Sequence, residues 1–559
     1  MGHEVASTEI ETTGVERREW LAALLVAAAT VVLLTVPYAL GYALSEPGTV
    51  FSGIIMNPED TQSYFAKMLQ GFEGHWLYTI PFTPEKHDPA FLGGFYIALG
   101  HFARWVGLTI EGIWHLARII AGLFLFMVTF GFIATFLEDR QTRWVAYLLA
   151  IFGSGLGWLL FVIQQPYWLG VFPVDFKMPE AHLFFSAMTF PHVALGTALV
   201  LISLWLVYQM GTGHPRSWLY AVLAGISNLA IGIAYPFLIY LIVLTAGLYW
   251  LVITYRLRKI DWTFSLRLGV SFVIPLPLYI YYAYANQMND VFRSWADQAV
   301  TSSPPWPHYL VAFGTMLALA LLPILSRKAS VDYKRRMSLL WIWIIAAALL
   351  VYLPINAQRR FVQGLQVPLS ILAAVGLVQI LLPRLASTRL YQRILTLPRY
   401  TDEGLRRLVL ISIILLIALS NIYLLADVST TAALRQPFPF FRQESELEAV
   451  SWLQENSERT TVVLAAYETG NYIAARAGNR VFIGHWAETV DWESKFDLVT
   501  RFYDDSTTDS WRIELINTYG ITYIMHGPAE GALGSFDPSK APYLKPVIEN
   551  ADTILYEVQ

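Results

Sequence analysis

Cysteine is absent from the 559-residue chain. Disulfides, thiolate metal sites and thiol nucleophiles are therefore excluded, while the redox compartment stays open. Charge is scarce: Asp, Glu, Lys and Arg make up 14% of the residues, where a soluble protein carries about a quarter. A net charge of −4 supplies no basic surface, which argues against nucleic acid as a partner. Three catalytic signatures are also missing. Without a phosphate-binding Walker loop, ATP-driven transport has no motor. There is neither a His-Glu-x-x-His zinc motif nor a Gly-x-Ser-x-Gly nucleophile elbow. No inverted repeat of the transporter kind is visible.

What the chain has instead is apolar surface, with 55% hydrophobic residues, 14% aromatic residues and a mean hydropathy of +0.47. It is unevenly spread. From Trp20 to Asp427 apolar runs of roughly 18–25 residues follow one another, the length that crosses a bilayer at 1.5 Å per residue. From about Phe440 onward such runs stop and charge returns. These features predict a polytopic α-helical membrane protein with a C-terminal extracytoplasmic α/β domain. Its parts are an N-terminal tail at 1–19, a membrane body at 20–430 with a long first outer loop at 44–111, and a soluble domain at 440–559. Eleven spans are expected, at 20–43, 112–137, 144–163, 187–209, 217–234, 236–255, 265–285, 308–325, 338–354, 366–383 and 408–426. The first follows Arg17-Arg18 and has only a weak cleavage match at Ala43-Leu44-Ser45, so it reads as a signal anchor.

The connecting loops alternate in basic content. One set, from Arg17 through Arg140, Arg143, Arg216, Arg256, Arg336 and Arg384 to Arg407, holds nineteen Lys and Arg residues; the other holds seven. The positive-inside rule puts the first set, and the N-terminus, in the cytoplasm. An odd number of spans then places the tail domain outside the cell membrane. The apolar stretch 89–106 contains Gly93-Gly94, Gly100, His101 and Arg104, and is expected to lie on the outer surface as an interfacial helix. In the tail, helices at 444–456, 492–503 and 510–519 alternate with strands at 460–464, 481–483 and 521–525. A final strand at 553–558 is expected at the sheet edge.

Candidate chemistry gathers in the outer loops. Glu59 and Asp60 follow Pro58 just beyond the first span, where a lipid-borne substrate presents its head group. A carboxylate there suits deprotonation of an acceptor hydroxyl or a divalent cation; the alternative is that Asp60 caps its helix. His87-Asp88-Pro89 precedes the interfacial helix. Arg118 enters the second span, where it either faces a polar interior or snorkels to the interface. Glu180 and His192 lead into the fourth span, with packing as the plainer role for the histidine. Arg359-Arg360 breaks the outer loops' avoidance of basic residues. Such a pair suits a phosphate, or an anionic lipid as anchor.

A first helix, an acid just after it, the Pro-led segment Asp88-Pro89-Ala90-Phe91-Leu92, Gly107 and then Leu116-Ala117-Arg118 form a recognisable order. It resembles the GT-C superfamily of membrane glycosyltransferases, which includes protein mannosyltransferases, aminoarabinose transferases and oligosaccharyltransferase catalytic subunits. The pattern covers about residues 20–140, with the general layout following to 426. Trp452-Leu453 and Tyr519-Gly520-Ile521-Thr522-Tyr523-Ile524 resemble the extracytoplasmic domains appended to such proteins. The resemblance implies an enzyme that uses a polyprenyl-phosphate-linked sugar donor at the outer face, with membrane lipids around it and envelope proteins as possible partners. It implies that Asp60 is the first-loop acid, base or acceptor-positioning group, with Glu59 as alternative. The oligosaccharyltransferase Trp-Trp-Asp motif is missing from the tail, which sets the chain with single-sugar transferases or another branch. Two other classes fit the same layout. One is a catalytically silent subunit of an envelope complex. The other is a lipid-linked glycan transporter, disfavoured by the few charges within the spans.

Overall fold

The apolar runs become long helices because only a helix satisfies its own backbone polar groups in a hydrocarbon environment. The computed structural model of the chain describes residues 15–326 and 330–559. Most of the expected N-terminal tail, residues 1–14, lies outside the described residues, as do Arg327 and Lys328. Among the described residues, seven helices are long and apolar enough to cross a membrane. Two more candidates are bent pairs, Trp262–Val273 with Leu276–Met288 at 43° and Asp402–Ile417 with Leu419–Arg435 at 52°. With each pair taken as one span, the described residues hold nine candidates, where the hydropathy pattern suggested eleven.

The two that fall short do so for different reasons. The run at 144–163 is a helix Arg140–Phe152 and a six-residue helix Gly157–Val162, broken at Gly153-Ser154-Gly155. Ser154 donates to the Ile417 carbonyl through its N–H at 3.0 Å and its Oγ at 2.6 Å. A Cβ on Gly155 would lie 2.4 Å from Ala312 Cα, so glycine lets another helix press into the break. The run at 338–354 yields only the 13-residue helix Ser338–Leu350.

Between helix α1 (Arg17–Ala43) and the second long span, the first long loop carries secondary structure of its own. It contains strand β1 (Thr49–Phe51), helix α2 (Pro58–Glu73) and helix α3 (Gly94–Val106), and then meets α4 (Ile110–Phe136). Helix α3 falls within the stretch 89–106 expected to be helical, shortened at its start by Gly93 with φ 67°. It crosses α2 at backbone contact: a Cβ on Gly71 would meet the Ile97 carbonyl at 2.1 Å, and one on Gly100 the Met68 carbonyl at 1.9 Å.

The tail builds a five-stranded sheet in the order β4-β3-β5-β7-β6, from β3 (Val462–Leu464), β4 (Arg480–Val481), β5 (Ile521–His526), β6 (Leu544–Glu549) and β7 (Ile554–Val558). Strand β3 pairs in parallel with β4 and β5, while β7 pairs antiparallel with β5 and β6. The last strand is therefore interior, not the expected edge. The edge beside it is β6, which Lys545 and Pro546 concealed, and proline is tolerated there because an edge strand need not donate on its open side.

Loop and tail form one body. Strand β1 pairs antiparallel with β2 (Phe441–Gln443), Phe51 opposite Phe441. The Val481 N–H donates to the Pro81 carbonyl at 2.8 Å. A single core joins Tyr78, Ile80 and Phe82 of the loop to Val450, Leu453 and Val481 of the tail. The division into a loop belonging to the membrane body and a separate tail is thus redrawn, because the loop's apolar residues are covered by the tail. A second core, around Phe482, Phe502 and Ile524, lies on the other side of the sheet.

Candidate active site

Helix α2 begins where Asn57 turns the chain at φ 47° and Pro58 takes the first helical position, whose amide needs no partner. Glu59 and Asp60 fall in the first turn, where the helix dipole favours carboxylates. Asp60 does not cap the helix. Its Oδ1 accepts from Nε2 of His485 at 3.2 Å, on the tail loop that follows β4. Nδ1 of His485 accepts from the Ala487 N–H at 3.2 Å, which assigns the remaining proton to Nε2.

The Asp60 side chain is 41% exposed, so a ligand can reach it. Its surroundings work to raise its pKa by desolvation, but the His485 hydrogen bond and the Arg360 and Arg359 charges outweigh that and hold it at about 2. Glu59 moves the other way. Burial lifts it above the usual carboxylate range, against the pull of His485 and a hydrogen bond from Tyr467. Adjacent acids thus differ in proton affinity because one faces the arginines and the other packs toward the tail.

Arg359 and Arg360 lie in the single turn Gln358–Val362 that opens the long apolar run Gln358–Ala386. Arg360 Nη1 donates to the Tyr235 hydroxyl at 2.9 Å, and that hydroxyl donates to Glu180 Oε1 at 3.2 Å. The guanidinium also sits 5.3 Å from the ring centres of both Tyr235 and Phe237. Arg359 Nε has no hydrogen-bond partner among the described residues. Neither arginine reaches a carboxylate at ion-pair distance among them, whereas Arg442, Arg459 and Arg476 nearby in the tail each pair with a glutamate.

Behind this charged face lies an aromatic pile. Tyr64, one turn along α2 from Asp60, stacks on Tyr96 at 4.3 Å, and Tyr96 stacks on Trp114 at 5.6 Å. His192 is 4.9 Å from the rings of both Tyr64 and Tyr235, and its Nδ1 meets the Tyr96 hydroxyl at 2.6 Å. Asp60, Glu59, Arg359, Arg360, Glu180 and His192 therefore share one neighbourhood.

Three expected site residues stand apart. His87 uses both ring nitrogens within its own loop, accepting from the Ile80 N–H at 2.9 Å and bonding the Glu85 carbonyl at 2.9 Å. Burial keeps its pKa below the usual histidine value. The Asp88 side chain is exposed, and its carbonyl accepts from Asn289. Arg118 is 1% exposed, so it does not snorkel. It lies against α1, 4.2 Å from the Tyr38 ring centre, and donates to Thr35 at 3.2 Å.

Sequence reasoning passed over His485, Tyr235 and the pair beneath them, Lys67 and Glu488. Lys67 Nζ meets Glu488 Oε1 at 2.8 Å with both side chains buried, and Ser63 and Tyr78 donate to the same carboxylate. The available signal was Gly484-His485-Trp486-Ala487-Glu488, a polar and aromatic loop at the carboxyl end of a parallel strand, where open sheets place their sites. Among the described residues, no three His, Asp or Glu side chains converge as metal ligands.

No family model matches the sequence, and no curated protein matches it. Solved structures do match, over nearly the whole chain and at low identity. ArnT from Cupriavidus metallidurans, bound to undecaprenyl phosphate, aligns with a TM-score of 0.54 and 12% identity over 97% of this chain and 98% of its own. The archaeal oligosaccharyltransferase AglB from Archaeoglobus fulgidus, in complex with an inhibitory peptide and a dolichol-phosphate, gives 0.53 and 15% over 94% of this chain and 72% of its own. The arabinofuranosyltransferase AftD from Mycobacteria gives 0.50 and 13% over 98% of this chain and 40% of its own. Helical body, structured first loop and appended sheet domain together give this chain the fold of the GT-C membrane glycosyltransferases.

Proposed function

We propose that the chain transfers a sugar from a polyprenyl-phosphate-linked donor to an acceptor hydroxyl on the extracytoplasmic side of the membrane. The observation that carries this is the pair Arg359 and Arg360, without a carboxylate partner among the described residues, yet close enough to act on the accessible Asp60 carboxylate. Guanidiniums lacking a carboxylate make an anion site, and a phosphate there sits beside an acid able to take a proton. In the reaction, the acceptor oxygen attacks the anomeric carbon. The bond from that carbon to the phosphate oxygen breaks, and its electron pair leaves with polyprenyl phosphate. The acceptor proton passes to Asp60, and Arg359 and Arg360 hold the departing phosphate.

A carboxylate held at about 2 is a weak base, since proton-transfer efficiency follows basicity. Donor binding offsets part of this, because a phosphate neutralises the arginines and removes their share of the field that depresses Asp60, while the His485 hydrogen bond stays. The loaded site is therefore more basic than the empty one. Neighbouring folds add support, as AglB and ArnT were solved with dolichol-phosphate and undecaprenyl phosphate. The test is binding of undecaprenyl phosphate to the purified protein in detergent. Arg360→Ala is expected to weaken it by about 1.5–3 kcal/mol, the size of a charge-assisted contact, and Asp60→Asn to leave it unchanged or stronger. Equal binding by wild type and Arg360→Ala removes the phosphate from this site.

A further inference from the structure

We infer that Tyr64 and Glu180 form a sugar-ring subsite, in which the donor's sugar lies on the Tyr64 ring and gives a hydroxyl hydrogen bond to Glu180. The inference rests on the function proposed above and adds the residues that would read the sugar rather than the lipid phosphate. Three observations carry it. Tyr64 is only partly buried, on the same helix face as the accessible Asp60. Its ring is fixed by packing against Tyr96, Trp114, Phe190 and His192, with the Lys67 ammonium 6.0 Å from its centre. A ring fixed in this way presents a flat apolar surface at no cost in side-chain freedom. One face of a pyranose or furanose, lined with weakly positive C–H groups, is complementary to the negative face of an aromatic ring.

The second partner is chemically distinct. Glu180 is 6% exposed, and while its Oε1 accepts from Tyr235, its Oε2 has no partner among the described residues. A buried acceptor left empty is costly, and a sugar hydroxyl is the neutral donor that would fill it without adding charge beside Arg360. The Tyr235 hydroxyl bonds both Arg360 and Glu180, and His192 lies 4.9 Å from the rings of both Tyr235 and Tyr64, so all of these groups adjoin the Arg360 guanidinium. An anchored phosphate therefore brings the attached ring next to both proposed contacts. An aromatic wall with a few convergent polar groups is the usual composition of a small-ligand pocket.

The experiment compares bare undecaprenyl phosphate with undecaprenyl-phosphate-linked mannose, glucose and arabinofuranose, titrated against the full-length protein in detergent. Wild type is expected to hold at least one sugar-loaded lipid more tightly than the bare lipid. Tyr64→Leu and Glu180→Gln should each lose about ten-fold of that gain while binding the bare lipid no more weakly than wild type, Glu180→Gln more tightly because it removes a negative charge near Arg360, which also shows that they fold. Tyr64→Phe keeps the ring and should keep the gain. The subsite is overturned if wild type holds loaded and bare lipids equally, or if Tyr64→Leu and Glu180→Gln retain the full preference. Failure of every lipid phosphate to bind wild type overturns the proposed function itself, a result distinct from loss of the sugar preference alone.

Discussion

Asp60 and Glu59 are neighbours in sequence, yet their environments push them apart in proton affinity. Asp60 is held at about 2 by His485 and the two arginines against desolvation, while burial raises Glu59. The sign of the pH dependence follows. A depressed carboxylate keeps its base form as pH falls, so removing the hydrogen bond or the charges that favour that form must bring protonation to higher pH. In His485→Ala and Arg360→Ala, the acid limb of kcat/KM, which reports the free enzyme, is expected to shift upward from its wild-type position. Within wild type, the acid limb of kcat should lie above that of kcat/KM, because bound phosphate offsets the arginines. Glu59→Gln should leave both limbs in place if Asp60 is the proton acceptor; collapse of the rate in Glu59→Gln with a normal rate in Asp60→Asn would exchange their roles. Asp60, Arg359 and Arg360 were legible because acids after a first span and paired arginines in a non-basic loop are compositional anomalies. His485 was not, since nothing in one dimension links it to a residue 425 positions away.

At the scale of elements, α2 is the part on which loop, tail and membrane body converge. Two turns beyond Asp60, on the same side of the helix, stands Lys67, which burial makes less basic even though Glu488 partly restores it. Removing one member of a buried pair strands the other charge, typically at about 3–5 kcal/mol, whereas removing both is far milder. Lys67→Met alone should therefore lower the thermal unfolding midpoint sharply. Adding Glu488→Gln, which preserves acceptors for Ser63 and Tyr78, should recover at least half of the loss. A double variant no more stable than Lys67→Met would place the cost elsewhere, in packing against Tyr78, whose ring lies 4.3 Å from the ammonium. Helices α2 and α3 were readable from proline, glycine and apolar spacing. The break at Gly153-Ser154-Gly155 was not, because hydropathy averages over the window and does not register that glycine there admits a neighbouring helix.

At the scale of the whole molecule, two boundaries set by composition behave differently. The onset of charge near Phe440 coincides with β2 and the sheet, so the existence of the tail was plain. Its extent was not, because nearly a third of the buried residues of one core come from the first long loop, 350 or more residues earlier in the chain. Residues 440–559 produced alone should expose that apolar face and aggregate. The same segment fused to residues 44–111 by a flexible linker should give a cooperative unfolding transition by circular dichroism. A well-folded 440–559 fragment would show that the sheet's second core, around Phe482, Phe502 and Ile524, suffices. We further propose that the tail lies outside and the basic loops inside. In this cysteine-free chain, Ser330→Cys and Ser535→Cys should react with an impermeant maleimide from opposite sides of sealed vesicles, and labelling from one side would overturn that orientation. The central claim, that this fold is an active transferase with Asp60 as its proton acceptor, is tested most directly by turnover. Purified wild type and Asp60→Asn are incubated with undecaprenyl-phosphate-linked sugars and membranes of the source cell as acceptor, and released undecaprenyl phosphate is measured. Wild type should release it, and Asp60→Asn should do so about 10²- to 10⁴-fold more slowly while binding the lipid no less tightly. Equal release by both proteins, or none by wild type while it binds the lipids, would contradict the account.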